Sequence, residues 1–187
     1  MKTAETNNSL NFRKMNSGRR LILTALFTAA ASSIYILESF IPKPLPFMKI
    51  GLANVIPLIL ILTRNYREAF LVMFAKILLG GFITGTLFSP TTILSFSGSV
   101  ISFSIMVFLF IIPINFSIIG ISLAGAVSHN FGQLLMVRLL LIKESEIFYL
   151  TPLLIILGMI TGAITGYIAY LLLNKLNWQE NNEVLHL

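Results

Sequence analysis

Apolar residues fall in six blocks along this chain, near 21–41, 50–63, 68–88, 92–112, 116–142 and 148–173. A helix rises 1.5 Å per residue, so about 20 apolar residues cross a hydrocarbon layer ~30 Å thick. The breaks between blocks are short and either proline-rich or charged: Pro42-Lys43-Pro44-Leu45-Pro46, Thr63-Arg64-Asn65-Tyr66-Arg67, Ser89-Pro90-Thr91, Pro113-Ile114-Asn115 and Lys143-Glu144-Ser145-Glu146. Such breaks suit connections between antiparallel helices. The pattern predicts an all-α integral membrane bundle of six transmembrane helices over 19–175. A polar N-terminal segment, 1–18, and a polar tail, 176–187, flank it.

The second block is the short one. At about 14 residues it makes a helix of roughly 21 Å. Charge placement decides how to read it. With six spans and the N-terminus inside, the cytoplasmic side collects eight lysines and arginines and the outer side three (Lys43, Lys49 and Lys143). Without a crossing at block two the split becomes six against five. The positive-inside rule therefore predicts six spans in the cell membrane with both termini cytoplasmic. A short second helix leaves 42–49 as a loop dipping inward, and irregular backbone at that depth needs protein or water around it.

Composition agrees with lipid as the main solvent. Of 187 residues 56% are hydrophobic and 11% charged, against about 25% charged in soluble domains. The net charge of +6 does not point to nucleic acid, because the charges sit at block ends. The first block, at about 21 residues, exceeds a signal-peptide core of roughly 7–15. Cysteine and aspartate are both absent. No thiolate metal site, Gly-Lys-Ser/Thr phosphate loop or His-Glu-x-x-His pair occurs. Prenyl diphosphate chemistry needs carboxylates to hold Mg²⁺, and Glu38 alone falls well inside a block. No catalytic residue, metal or cofactor is implied.

Small residues mark where helices approach closely. Gly158, Gly162 and Gly166 form one stripe in block six. Gly81 and Gly85 repeat the spacing in block three, and Gly125, Ser128 and Gly132 share an arc in block five. These predict packing inside the bundle. Ala25 and Ala29, extended by Ser33, either pack inside or present a flat face to a partner.

Ionisable and amide groups inside a bilayer are costly and are candidates for function. Lys76 lies near mid-depth of block three and His129 near the middle of block five. Asn130 and Gln133 share an arc of about 100° with His129. Glu38 and Arg138 occupy the outer halves of their blocks, and Lys49 and Asn54 approach from the same side. Together Lys76, His129, Asn130, Gln133, Arg138, Lys49, Asn54 and Glu38 predict an outward-opening site for a small anionic or oxygen-rich substrate, covered by 42–49 and 87–92. The competing readings are structural. Glu38 and Arg138 could pair, Arg138 could snorkel to the interface, and His129 and Asn130 could bridge helices. Phe40, Phe47, Phe88 and Phe96 read as lipid-facing or core residues.

Two stretches resemble signatures of one bacterial membrane family: Phe47-Met48-Lys49-Ile50-Gly51-Leu52-Ala53-Asn54 and Leu123-Ala124-Gly125-Ala126-Val127-Ser128-His129-Asn130-Phe131-Gly132-Gln133. Leu79-Gly80-Gly81, Leu87-Phe88-Ser89 and the order of spans match as well. The resemblance covers roughly 19–175. It is to the Gx transporter family, also labelled heptaprenyl diphosphate synthase component I, and similar to the substrate-binding S components of energy-coupling-factor transporters. The transporter resemblance implies capture of a small micronutrient or precursor from the outer side, with a transmembrane coupling subunit and ATPases as partners. It also implies docking through the Ala-x-x-x-Ala pair Ala25 and Ala29. The synthase label implies instead a non-catalytic component beside a prenyltransferase subunit.

Overall fold

The computed structural model describes residues 12, 15–41, 51–140 and 145–184, without the side chains of 145–147 and 176–184. Lys49 and the 42–49 loop, two elements of the predicted site, lie outside the described residues, as does Lys143.

Among the described residues the chain is helical and has no strand. The α-helices are α1 (Ser17–Phe40), α2 (Val55–Leu62), α3 (Tyr66–Ile83), α4 (Pro90–Ile111), α5 (Ile118–Leu140) and α6 (Thr151–Val184). A 3-10 turn, Leu52–Asn54, leads into α2, and a second, Ser145–Leu150, into α6. Boundaries follow local chemistry. Pro90 opens α4, where a missing N–H removes no helical bond. Beyond α3, Gly85 adopts φ +68°, and nothing lies within 4 Å of a Cβ built on it. It is thus a turn glycine and not the packing residue its spacing predicted, because α3 has already ended at Ile83.

The predicted order of helices appears, but four helices are long and apolar enough to cross a membrane: Ser17–Phe40, Pro90–Ile111, Ile118–Leu140 and Phe148–Lys175. The other two fall short for different reasons. The apolar helix Leu52–Leu62 is 11 residues, about 16 Å at the helical rise. The 18-residue α3 carries Arg67, Glu68 and Lys76.

Helix α2 is the axle of the bundle. Every residue from Val55 to Ile61 is buried, as expected of a helix that is apolar all round. It touches α1, α3, α4 and α6; α1 packs on α3, and α5 lies between α4 and α6. The glycine stripes hold the second group together. A Cβ at Gly158, Gly162 or Gly166 would lie 3.1, 2.8 or 2.9 Å from the Cα of Val127, Leu123 or Ile119 on α5. Gly132 meets Gly98 of α4, whose Cα lies 3.1 Å from its built Cβ, and Gly125 meets the Met106 thioether.

Polarity is arranged inside-out. Phe88 is 99% and Phe40 78% exposed, while Glu38, Lys76, His129 and Gln133 are buried. An apolar exterior of this extent fits lipid as the surrounding phase.

Glu68 was not foreseen as a buried carboxylate. It lies in the first turn of α3, accepts a 2.6 Å hydrogen bond from Arg20 Nε and forms an ion pair with Arg20 of α1. The Glu68 side chain is 5% exposed and that of Arg20 37%. That asymmetry sets an expected result. Arg20→Ala leaves a carboxylate buried alone and should cost about 3 kcal/mol, whereas Glu68→Gln leaves an arginine that can reach water and should cost about 1 kcal/mol. Unfolding of the two variants in mixed micelles checks the ranking.

Candidate functional site

The site begins where the chain re-enters the bundle. Gly51 takes φ +88°, a conformation strained for any residue with a Cβ. It turns the backbone so that the Gly51 and Ala53 N–H groups point at α1. Glu38, near the end of α1, receives them: Ala53 N–H donates to Oε1 at 2.8 Å and Gly51 N–H to Oε2 at 3.3 Å. The carboxylate thus caps the 3-10 turn that starts α2. The last residue of that turn, Asn54, accepts a 2.5 Å hydrogen bond at Oδ1 from the Lys76 ammonium of α3. A charged donor makes this one of the stronger hydrogen-bond types.

Helices α4 and α5 close the other side. Ser95, Ser99 and His129 join Tyr35, Glu38, Asn54 and Lys76 around one narrow cavity of about 10 Å³. That is the room of roughly one water. The Tyr35 hydroxyl is hydrogen-bonded to Ser95, and Ser95 Oγ donates to the Thr91 carbonyl at 2.7 Å. Lys76 is 2% exposed, with Glu38 supplying the opposite charge beside it. Such a setting makes every polar contact stronger and every unmade one costlier.

Four predicted site residues therefore meet at this cavity: Glu38, Asn54, Lys76 and His129. The others are placed differently. Asn130 Nδ2 donates to the Leu154 carbonyl of α6 at 2.9 Å, a bridge between helices. Gln133 is buried one turn beyond His129, against Gly98. Its Nε2 has no hydrogen-bond partner among the described residues. Arg138 is exposed and lies 5.0 Å over the Phe148 ring, apart from the cavity lining. Phe88 in the 87–92 segment points outward. Three lining residues with polar side chains were missed from the sequence: Tyr35, Ser95 and Ser99. Their signal was spacing, since Tyr35 stands one turn before Glu38, and Ser95 and Ser99 are one turn apart.

The bundle thus holds a buried cation, carboxylate and imidazole around a shared cavity. A family model for heptaprenyl diphosphate synthase component I matches residues 27–172, a range that takes in every lining residue. The chain belongs to that family. No curated protein and no solved structure matches it. The matched range begins after Ala25 and ends before the tail, so the site lies within it and Ala25 just outside.

Gly98 shows how tightly the site is built. A Cβ there would lie 2.7 Å from the His129 carbonyl oxygen and 3.1 Å from its Cε1. Gly98→Ala must therefore shift α5 or its His129 and Gln133 side chains. We expect Gly98→Ala to destabilise the folded protein by about 1–3 kcal/mol, as measured by unfolding in mixed micelles.

Proposed function

We propose that this chain is a non-catalytic membrane component whose helix bundle holds a small polar ligand at Glu38, Asn54, Lys76 and His129. The convergence of these side chains, from four separate segments, on one buried cavity carries the reading. Intramembrane ionisable groups are expensive, and a purely structural anchor has no need to gather several of them.

The family name favours a place in isoprenoid and quinone biosynthesis, beside a prenyltransferase subunit. A chain without aspartate has a poor donor set for a magnesium-bound diphosphate, so prenyl transfer rests with that partner. In this role the chain anchors the synthase to the bilayer and presents or senses a polar precursor.

A second reading has its own observation. Ala25, Ala29 and Ser33 lie exposed along one face of α1, a flat strip on which another membrane helix can pack closely. That face supports a substrate-capture subunit of a transporter. Such a subunit spans a bacterial cell membrane six times with both termini cytoplasmic. It takes an oxygen-rich micronutrient or precursor from the outer side and docks through Ala25 and Ala29 on a coupling subunit served by ATPases.

Deleting the chain from its host tests both. Loss of long-chain prenyl products, with a soluble prenyltransferase co-purifying with the tagged chain, supports the synthase component. Normal prenyl products, with a membrane subunit and ATPases co-purifying, support capture for transport. Normal products and no partner at all overturn both.

A further inference from the structure

The serines of α4 behave in two ways. Ser95, Ser97 and Ser104 each donate to a carbonyl of their own helix one turn back, at 2.7, 3.0 and 2.9 Å. Ser102 does not. It is 1% exposed, and its Oγ has no hydrogen-bond partner among the described residues. The hydroxyl is turned toward α5, where it lies 3.3 Å from a Cβ built on Gly125. Lipid offers such a group nothing, and a buried hydroxyl left unanswered is costly.

Ser102 borders a second cavity of about 10 Å³. Three helices each bring one hydroxyl residue to it: Ser102 on α4, Ser122 on α5 and Thr165 on α6. Asn54 joins from the turn before α2, and Leu58, Met106 and small residues complete the lining. Asn54 Oδ1 already accepts from Lys76, so the amide has its Nδ2 protons left to offer. Nδ2 lies 3.3 Å from a Cβ built on Gly51, which is itself a lining residue.

We infer that the second cavity is a built site for one ordered water, which accepts from the Asn54 amide and bonds to the hydroxyls of Ser102, Ser122 and Thr165. Size and bonding together select water. The volume is that of about one water molecule, and two to four polar partners hold one in place. A larger anion or an organic group does not fit. A bare cation would meet amide protons, with the Lys76 ammonium bonded to the oxygen of the same amide. Water both donates and accepts, so it answers a hydroxyl whichever way that turns. The consequence reaches the first cavity. By holding Nδ2, the water keeps Oδ1 turned to Lys76, and it ties α4, α5 and α6 to the turn that begins α2. The inference does not rest on the ligand-binding reading, because Glu38, Lys76 and His129 are not among the residues lining this cavity.

Met106 makes the water detectable. It lines the cavity and is 4% exposed, whereas Met73 is 1% exposed and lines neither cavity. Brief X-ray pulses on the full chain in lipid nanodiscs split bound water in place and oxidise the nearest thioether. Mass spectrometry then reads the sulfoxide at each methionine. Met106 should oxidise about fivefold faster than Met73, or more. Ser102→Val removes one partner and fills part of the space, so it should bring Met106 down to the Met73 rate and leave Met73 unchanged. Thr165→Val, close to threonine in volume, takes its place if Met73 oxidation rises and betrays misfolding; it should at least halve the Met106 rate. Met106 as slow as Met73 in the wild-type chain, or a fast rate that the folded variant does not lower, overturns the inference.

Discussion

Lys76→Met is expected to cost the fold about 3–5 kcal/mol, the usual penalty for removing one partner of a buried charged pair. The reason is local. Methionine fills much of the lysine volume, so packing changes little. What remains is the Glu38 carboxylate without the Lys76 charge and an Asn54 Oδ1 stripped of its 2.5 Å donor. Adding Glu38→Gln should recover more than half of the loss. A glutamine carbonyl can still accept one of the two backbone N–H groups that Glu38 now caps, and it carries no charge. The double-variant cycle, read from unfolding in mixed micelles, therefore reports coupling between the two residues. Additive losses would mean that they do not sense each other and that the cavity is no unit.

Gly162→Leu is expected to separate α5 from α6 and to leave little protein in the folded state. A bare Cβ at this position would already stand 2.8 Å from the Leu123 Cα and 3.0 Å from the Ala126 Cβ. Backbone cannot step aside as a flexible side chain can. Overpacking costs about 1–3 kcal/mol in adaptable cores, and a rigid helix pair should sit at or above the top of that range. The neighbouring stripe residues Gly158 and Gly166 meet α5 in the same way, so each should be intolerant. Gly18→Ala is the control, since nothing lies within 4 Å of its built Cβ. Recovery of monodisperse protein from membranes ranks the variants.

The two expectations differ in how far sequence alone could reach them. Glycines four residues apart announce a close approach, and the structure names the partner as α5. Helix ends were legible from Pro90 and from the breaks between blocks. The span count was less so, because block length ignores charge: α3 is apolar enough only until Arg67, Glu68 and Lys76 are counted together. On α5 the wheel placed His129, Asn130 and Gln133 in one arc, but the arc faces two helices. His129 meets the cavity beside α4, whereas Asn130 bonds to α6. No pattern within one helix decides that division. Arg138 joined the predicted set through its depth, yet a long side chain at a helix end finds other surroundings, here the Phe148 ring. Glu68 escaped notice because it stands at a block edge, where a charge usually meets water. Tyr35, Ser95 and Ser99 are unremarkable apart and matter only once α1, α3 and α4 surround the same space.

The central claim is that a small polar molecule occupies the space between Glu38, Lys76 and His129. Native mass spectrometry of the purified chain tests it most directly, with the Glu38→Gln, Lys76→Met double variant alongside. The wild-type chain should carry one small adduct at near-unit stoichiometry, and the double variant, folded but without its charged groups, should carry none. A bare wild-type chain, or the same adduct on both proteins, would contradict the account.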